Sequence, residues 1–450
     1  GNGGDRRLLF GMDDLLQGVD ARTGKSIGSF GKNGAVDLRE GLGRDPATIR
    51  RVMSGTPGRV FVNLLILGSS PGEGYFSAPG HVRAYDVITG ELAWTFHTIP
   101  QPGEFGYDTW PRDAWKYAGG VNVWGEITLD EKRGIAYLPV SSPSYDYYGA
   151  DRVGMNLFSD CLVALDARTG KRLWHFQMVH HDLWDYDPTA APQLLTIRKG
   201  GETIDAVAQA TKQGFVYVFD RVSGEPVWPI EERPVPKSDV PGEQAWPTQP
   251  YSLLEPTARQ IVQPDDLTPY LISDAERAAW KQRISRARTG LFTPPSLEES
   301  AVVPGPVGGT NWGNTAADPG KGMLYLLNQD FPSFYRLQEI RDRSVAGGPG
   351  RFGPPDPATL KRGEAAYKEH CAVCHGSDRA GTPAGPSLIT AGSQIGGPQF
   401  RRIITYGTGR MPPLPHVGDR QAGDILSFLG GGARLRPAAD LPAGPAAPRP

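Results

Sequence analysis

Short runs of alternating apolar and polar residues recur along the first half of the chain and predict β-strands. Each run ends in Asp, a Gly follows four residues later, and a second apolar run comes next. The four copies are 18–30, 84–96, 164–176 and 218–230. In the last three copies a Trp follows eight residues after the Asp, whereas the first copy has Gly28 at that position.

Each copy has the chemistry of a β-hairpin. The Asp side chain can bind backbone amides of the turn, and Gly adopts the positive φ that such turns require. The four repeat aspartates are 54 to 80 residues apart, which is enough for four short strands with insertions. This spacing predicts one propeller blade per repeat. A fifth blade is predicted from two strands around the Asp-Pro-Gly turn of residues 308–328.

Two other segments predict elements within residues 1–343. The apolar run Val60–Leu67, interrupted by Asn63, predicts one buried strand and is far shorter than the ~20 residues that cross a bilayer. No transmembrane segment is expected in this chain. Ser273 is a suitable N-cap for a helix that continues to about Arg288.

The character of the chain changes after residue 343. A Gly/Pro-rich linker over 344–355 precedes a small all-α domain over 356–432, with helices at 356–370, about 399–406 and 419–429. Asp356 is a suitable N-cap for the first helix, with Pro at its first position. Residues 433–450 form a Pro/Ala-rich linker or tail without a core-forming pattern.

The composition of the chain bears on its fold class and on the partners it could bind. Gly (58) and Pro (42) occupy 100 of 450 positions, well above the usual ~12%, so a mostly helical protein is excluded. With 47 basic and 49 acidic residues, the net charge of −2 gives no sign of nucleic-acid binding. The fold expected is therefore an all-β propeller followed by a small all-α domain.

The strongest motif is Cys-Ala-Val-Cys-His, from Cys371 through Cys374 to His375. This is the attachment sequence of a c-type haem, in which the two thiols bind the porphyrin and the adjoining His binds iron. A zinc site would need two more Cys or His ligands, for which only His370 and His416 are available nearby, and a redox dithiol would follow a strand. Haem c is therefore the expected cofactor.

The second iron ligand is predicted to be Met411, which lies in a Gly/Pro-rich loop and is the only Met after residue 323. His416 is the competing ligand. The attachment motif, Gly385-Pro386 and Met411-Pro412 together resemble class I cytochromes c. That resemblance implies a periplasmic protein, because haem is attached covalently outside the bacterial cytoplasm.

A propeller with repeated Trp residues followed by a cytochrome domain resembles the pyrroloquinoline quinone (PQQ) dehydrogenases. The segment His180-His181-Asp182-Leu183-Trp184-Asp185 is similar to the active-site strand of the membrane glucose dehydrogenase branch. The resemblance covers nearly all of residues 1–340. It implies an eight-bladed propeller that holds PQQ and Ca²⁺.

The resemblance assigns roles to three residues at matching positions. Asp185 would be the general base and a Ca²⁺ ligand. Lys212, 27 residues later, would contact the reactive carbonyl oxygen of the quinone. Trp124 would be the aromatic floor on which the planar cofactor stacks.

Four further residues complete the expected site. Glu73 matches a second carboxylate on Ca²⁺, and Ser142 stands before Pro143 where the alcohol dehydrogenase branch has a metal-binding Asn. His181 could orient the substrate, or it could be a packed polar side chain. Asn311 could touch the cofactor, although Gly-rich turns also use Asn.

These features together predict a periplasmic quinohaemoprotein dehydrogenase. It would oxidise a sugar, with a glucose-like aldose favoured, or an alcohol, and pass electrons through the haem to an external acceptor, either a quinone or a soluble cytochrome. The rival hypothesis is a non-catalytic, degenerate propeller that carries an electron-transfer cytochrome. Because about five blades precede the haem domain, the chain is expected to be part of a longer protein with an incomplete propeller.

Overall fold

The chain folds into two compact units, residues 1–338 and 339–450. The computed structural model describes residues 5–75, 77–268, 270, 272–339, 357–389, 397–407, 411–414 and 416–432. The predicted boundary at 343, the linker 344–355, the N-cap Asp356 and the tail 433–450 lie outside these residues.

The first unit is built mainly from short strands. They are β1 Arg7–Met12, β2 Leu15–Asp20, β3 Ala35–Asp37, β4 Arg59–Phe61, β5 Leu64–Leu67, β6 Val82–Asp86, β7 Leu92–Phe96, β8 Gly119–Gly120, β9 Thr128–Asp130, β10 Ile135–Val140, β11 Pro143–Ser144, β12 Cys161–Asp166, β13 Arg172–Gln177, β14 Gln193–Lys199, β15 Glu202–Ala210, β16 Val216–Asp220, β17 Ile230–Pro234, β18 Thr248–Ser252, β19 Arg288–Thr289, β20 Ser300–Val302, β21 Thr315–Asp318, β22 Met323–Leu326 and β23 Ser333–Tyr335. The helices of this unit are α1 Ala114–Tyr117 and α2 Asp274–Arg286.

Each of the five predicted blade segments contains an antiparallel sheet. Two sheets have four strands, in the orders β4-β5-β6-β7 and β13-β12-β10-β9. Two have three strands, β1-β2-β3 and β14-β15-β16, and the fifth is the pair β21-β22. The pairs β8-β11 and β17-β18 and the sheet β19-β20-β23 lie between or beside them in the chain. The predicted propeller-type architecture is thus present, while the eight-bladed ring stays a prediction.

The repeated Asp forms the same turn in all four copies. In each, one carboxylate oxygen accepts hydrogen bonds of 2.8–2.9 Å from the backbone amides two and three residues later. The Gly that follows has φ between +68° and +77°. These contacts confirm the predicted hairpin turns. The four aspartates are Asp20, Asp86, Asp166 and Asp220.

The repeated Trp joins one sheet to the next. The indole of Trp94 packs on Gly170 in the following repeat, and a Cβ atom at Gly170 would lie 2.5 Å from the ring. Trp174 packs on Gly224 in the same way, at 2.6 Å. The repeats therefore place a large ring against a residue that must lack a side chain, which excludes water from the seam between sheets.

A matched pair of substitutions tests this packing. Gly24 and Gly170 have nearly equal φ, +68° and +69°, but nothing lies within 4 Å of a Cβ atom built at Gly24. Gly24→Ala should reduce the free energy of unfolding by ~1–2 kcal/mol through backbone strain alone. Gly170→Ala should cost ~1–3 kcal/mol more because it also displaces Trp94. Urea unfolding measures both, and equal losses would contradict the seam.

The prediction of a single strand over Val60–Leu67 is wrong. β4 and β5 are separate strands of a hairpin, and Val62 lies in the turn with φ +56° and 76% of its surface exposed. The polar residue at the break accounts for the difference, because the Asn63 amide donates a 2.7 Å hydrogen bond to Asp86 at the end of β6. The predicted helix cap is confirmed: Ser273 and Glu276 form a reciprocal capping box at the start of α2.

The second unit is helical, as predicted. Its helices are α3 Pro357–His370, α4 Ala372–His375, α5 Gly397–Tyr406 and α6 Asp419–Gly432. Tyr367 of α3, Phe400 and Ile404 of α5, and Ile425 and Leu429 of α6 form its apolar core. Within the described residues, none of the helices combines the length and the apolar character needed to cross a bilayer.

Candidate functional site

The predicted catalytic segment is the loop that connects β13 to β14. It carries Asp185, and it faces Lys212, which follows β15. Asp187, two residues after Asp185, contacts Trp124 and Ser142 as well as Lys212. The fold thus brings together four of the predicted residues, although they lie up to 88 positions apart in the chain.

Lys212 is held from three directions. Its Nζ donates hydrogen bonds to the carbonyl oxygen of Asp185 at 2.9 Å, to Oδ1 of the same residue at 2.8 Å, and to Oδ2 of Asp187 at 3.2 Å. Burial opposes the charge, since only 3% of the residue is exposed, but the Asp187 and Asp185 carboxylates raise the pKa of Lys212 above its usual value. A fixed cation is therefore built into the site.

Asp187 connects the site and was missed in the sequence. Its Oδ2 also accepts from the Trp124 indole at 2.9 Å, and its Oδ1 accepts from the backbone amide and the hydroxyl of Ser142, both at 2.7 Å. Burial acts to raise its pKa, but Lys212 and these donors hold the pKa of Asp187 below the ordinary value. The only available signal was its place in the Trp-Asp-Tyr-Asp segment, two residues from the predicted base.

Asp185 has the environment of a proton acceptor. Burial, reinforced by the negative charge of Asp187, raises the pKa of the Asp185 carboxyl well above its usual value, against the opposing effect of Lys212. Its backbone is left-handed, with φ +60°, an arrangement that Asp tolerates better than most residues. Perturbed carboxyl groups of this kind are concentrated at functional sites.

The space beside Trp124 suits a planar ligand. A cavity of about 220 Å³ is lined by Gly55, Thr56, Ser70, Trp124 and Trp312. The Nζ atom of Lys212 lies 5.9 Å from the centroid of the Trp124 ring. An aromatic ring with a fixed cation close to it matches an anionic quinone such as PQQ, so these residues fit that cofactor.

A second carboxylate, Asp146, adds negative charge to the site and was also missed. Burial raises its pKa to about 7, and the charges of Asp187 and Glu73 add to the effect. Glu73 itself is exposed. Across the part of the chain that the structure covers, no three His, Cys, Asp or Glu side chains are grouped so that they could hold a metal ion. The oxygen donors and surplus negative charge nevertheless fit a hard divalent cation such as Ca²⁺.

His181 and Asn311 are both engaged by protein groups. His181 is fully buried, with Nδ1 2.9 Å from the carbonyl oxygen of Gly154 and Nε2 2.8 Å from Oε1 of Glu243. With both ring nitrogens bonded, this geometry favours the packed role over direct contact with substrate. The Oδ1 atom of Asn311 accepts from the hydroxyl of Thr189 at 3.0 Å. Asn311 thus lies next to the loop that carries Asp185.

The helical unit presents the expected haem-binding geometry. His375 is 7% exposed, and its Nδ1 donates a 2.8 Å hydrogen bond to the carbonyl oxygen of Pro386, which leaves Nε2 for iron. A Cβ atom at Gly385 would lie 2.8 Å from the Cys374 carbonyl oxygen and 3.0 Å from Nδ1 of His375. Cys371 and Cys374 are free thiols at this helix end, as covalent attachment requires.

The two candidates for the second iron ligand have different surroundings. Met411 is partly buried and packs against the core cluster that includes Cys371. His416 is exposed, and its ring lies 5.2 Å from that of His370. The packing favours Met411.

Both units match families of known proteins. The model of the glucose/ethanol/alcohol dehydrogenase β-propeller domain, designated PQQ, matches residues 2–367. The model described as cytochrome c oxidase, cbb3-type, subunit III matches residues 358–429. The chain is also similar in fold to the quinohemoprotein alcohol dehydrogenase from Comamonas testosteroni, with 18% identity and a TM-score of 0.52 over 96% of this chain and 81% of that one.

The relatives that the chain resembles in sequence are dehydrogenases named for different substrates. Quinate/shikimate dehydrogenase (quinone) of Acinetobacter baylyi is 35% identical, with 70% of this chain and 39% of the relative aligned. Two proteins of Gluconobacter oxydans are 33% and 34% identical: quinoprotein glucose dehydrogenase (77% of this chain, 42% of the relative) and the glycerol dehydrogenase large subunit (78% and 47%). The chain therefore spans less than half the length of these relatives. It belongs to the family of PQQ-dependent dehydrogenases with a β-propeller domain, and it carries a cytochrome c domain after the propeller region.

Proposed function

We propose that the chain forms the PQQ-binding and haem-binding part of a quinohaemoprotein dehydrogenase that oxidises a hydroxyl group of a sugar or alcohol. The observation that carries the proposal is the three-way contact of buried Lys212 with the carbonyl and carboxylate of Asp185 and with Asp187. A lone degenerate propeller would have no need to bury a lysine against two carboxylates beside an open aromatic face.

The residues divide the work of the reaction. Trp124 would stack on the planar cofactor, and Lys212 would place positive charge next to its carbonyl oxygen. Asp185 would accept the proton of the substrate hydroxyl, and the raised pKa of its carboxyl group makes it a stronger base than an ordinary carboxylate. Bound PQQ would supply the hydride acceptor for the carbon that bears this hydroxyl, so that the hydroxyl becomes a carbonyl group.

Ca²⁺ would be held by Asp185 with help from Glu73 and the nearby Asp146. Ser142 replaces the amide oxygen of the alcohol dehydrogenase branch, but its hydroxyl is donated to Asp187, so it would support the site through that residue. Bound Ca²⁺ would balance the carboxylate charge of this loop.

Calcium should stabilise the chain more at pH 8 than at pH 5. The folded-state pKa of Asp146, about 7, exceeds the unfolded value of ~3.9, so the folded state retains a proton and stability falls as pH rises between these values. Ca²⁺ would bind the deprotonated form and offset that loss, by ~2.7 kcal/mol at 100 times its dissociation constant. Thermal unfolding with Ca²⁺ and with Mg²⁺ at equal ionic strength measures this, and Asp146→Asn should reduce the pH dependence. Equal stabilisation at both pH values would contradict the assignment.

The helical unit would carry electrons away one at a time. With haem attached through Cys371 and Cys374, it would pass electrons from the PQQ site to an external acceptor, either a quinone or a soluble cytochrome. The attachment motif also supports a periplasmic location for the protein.

Reconstitution tests the function directly. The purified chain, loaded with haem, is supplied with PQQ and Ca²⁺, and dye-linked oxidation of glucose, quinate, glycerol and ethanol is measured. PQQ binding followed by substrate-dependent dye reduction is expected. Cofactor binding without turnover on any of these substrates would favour the non-catalytic alternative.

A further inference from the structure

The loop that presents Asp185 is tied at several points, and one residue holds it on both sides. Asp182 is fully buried, and its Oδ1 accepts a 2.8 Å hydrogen bond from the backbone amide of Trp184. Its Oδ2 accepts a 2.8 Å hydrogen bond from the backbone amide of Tyr186. These amides belong to the residues on either side of Asp185, so one carboxylate fixes the backbone before and after the proposed base.

Asp182 is itself anchored in the core. Its carbonyl oxygen accepts a 2.7 Å hydrogen bond from the guanidinium of Arg152, which is 1% exposed. The same guanidinium donates to Oδ1 of Asn156, and that oxygen lies 3.0 Å from Nδ1 of His181. The residue before the clamp is therefore fixed by the same network.

The clamp holds an unfavourable backbone conformation. A left-handed backbone is unfavourable for residues other than glycine, and Asp185 adopts it with φ +60°. In that conformation its carbonyl and its carboxylate both meet Nζ of Lys212, at 2.9 and 2.8 Å. A flexible loop would lose one or both contacts.

From this geometry we propose that Asp182 is a positioning residue for Asp185. Its carboxylate binds the amides of Trp184 and Tyr186 and so keeps the carbonyl and carboxylate of Asp185 within hydrogen-bond distance of Lys212. This inference rests on the proposed function for its catalytic consequence, while the clamp itself is a statement about the loop. Asn cannot replace the carboxylate, because its single acceptor oxygen satisfies one amide and its NH₂ group meets the other.

Asp182→Asn tests the proposal against a matched control. Asp166→Asn alters a carboxylate in a hairpin turn of the sheet, where Oδ1 alone accepts from two backbone amides, at 2.9 Å each, so the single acceptor oxygen of Asn can keep both hydrogen bonds. In Asp182→Asn we expect turnover at least ~10-fold lower with KM within ~3-fold, whereas Asp166→Asn should retain wild-type turnover. Amide hydrogen exchange should accelerate at Trp184 and Tyr186 in the first variant and stay at the wild-type rate at Arg168 and Thr169 in the second.

The readouts separate the two proposals. If the wild-type chain does not turn over, the function fails, and exchange still tests the clamp. Unchanged exchange at Trp184 and Tyr186 in folded Asp182→Asn, or turnover equal to that of Asp166→Asn in an active enzyme, would overturn the positioning role. If Asp182→Asn does not fold, Asp182→Ser keeps one acceptor without the repelling NH₂ group and is measured in the same way.

Discussion

Turnover should fall at least ~100-fold when Asp185 is replaced with Asn, while PQQ binding stays within a few-fold of wild type. Asn retains the oxygen that accepts from Lys212, and it tolerates the left-handed backbone, so the loop should keep its shape. It cannot accept the proton of the substrate hydroxyl. Steady-state kinetics and titration with PQQ measure the two effects separately.

The pH profile adds a second test of the same variant. Because burial raises the pKa of Asp185 well above its usual value, the fraction of free base, and with it wild-type turnover, should increase as pH rises through that pKa. The Asn variant should lack this rise in its residual activity. Asp220→Asn, in an exposed hairpin turn, is the control and should keep wild-type behaviour. Turnover of the Asp185 variant within 10-fold of wild type would exclude it as the base.

The second large effect is expected at the haem. Met411→Ala should alter the absorption spectrum of the reduced haem and lower its midpoint potential by about 0.1 V or more, because a Met thioether opposite His raises the potential of the iron. Spectroelectrochemical titration measures both.

His416→Ala is the matched control for the axial ligand. Its side chain is exposed and pairs with the ring of His370, so its removal should leave the spectrum and the potential unchanged. If the His416 variant shifts the potential and the Met411 variant does not, the ligand assignment is reversed.

Much of the candidate site was open to prediction, for two different reasons. The haem-attachment residues form a contiguous motif whose chemistry is local. Asp185, Lys212 and Trp124 were found only through resemblance to a family, and the fold places them within one hydrogen-bonded group around Asp187. Nothing in the composition or periodicity near Asp187 indicates that it links Trp124, Ser142 and Lys212, because these partners come from three separate segments of the chain.

His181 shows why residue type alone left two roles open. A histidine beside a predicted base suggests a role in catalysis, but the protein encloses this one completely between Gly154, Asn156 and Glu243. Glu243 lies 62 residues away in the chain, in a Pro-rich stretch with no regular pattern. No spacing rule could have paired the two.

Features that depend on residues close together in the chain were predictable without the fold. The turns of the four repeats, the Ser273 cap and the helices of the second unit follow from hydrogen bonds and side-chain periodicity within a few residues. Other features became visible only in the folded chain. They are the packing of each repeated Trp on a Gly of the next repeat, the hairpin within the run at Val60, and the contacts of Asp182 and Asp187 around the proposed base. Those features depend on contacts between distant segments, and their energies arise only when packing excludes water from both partners.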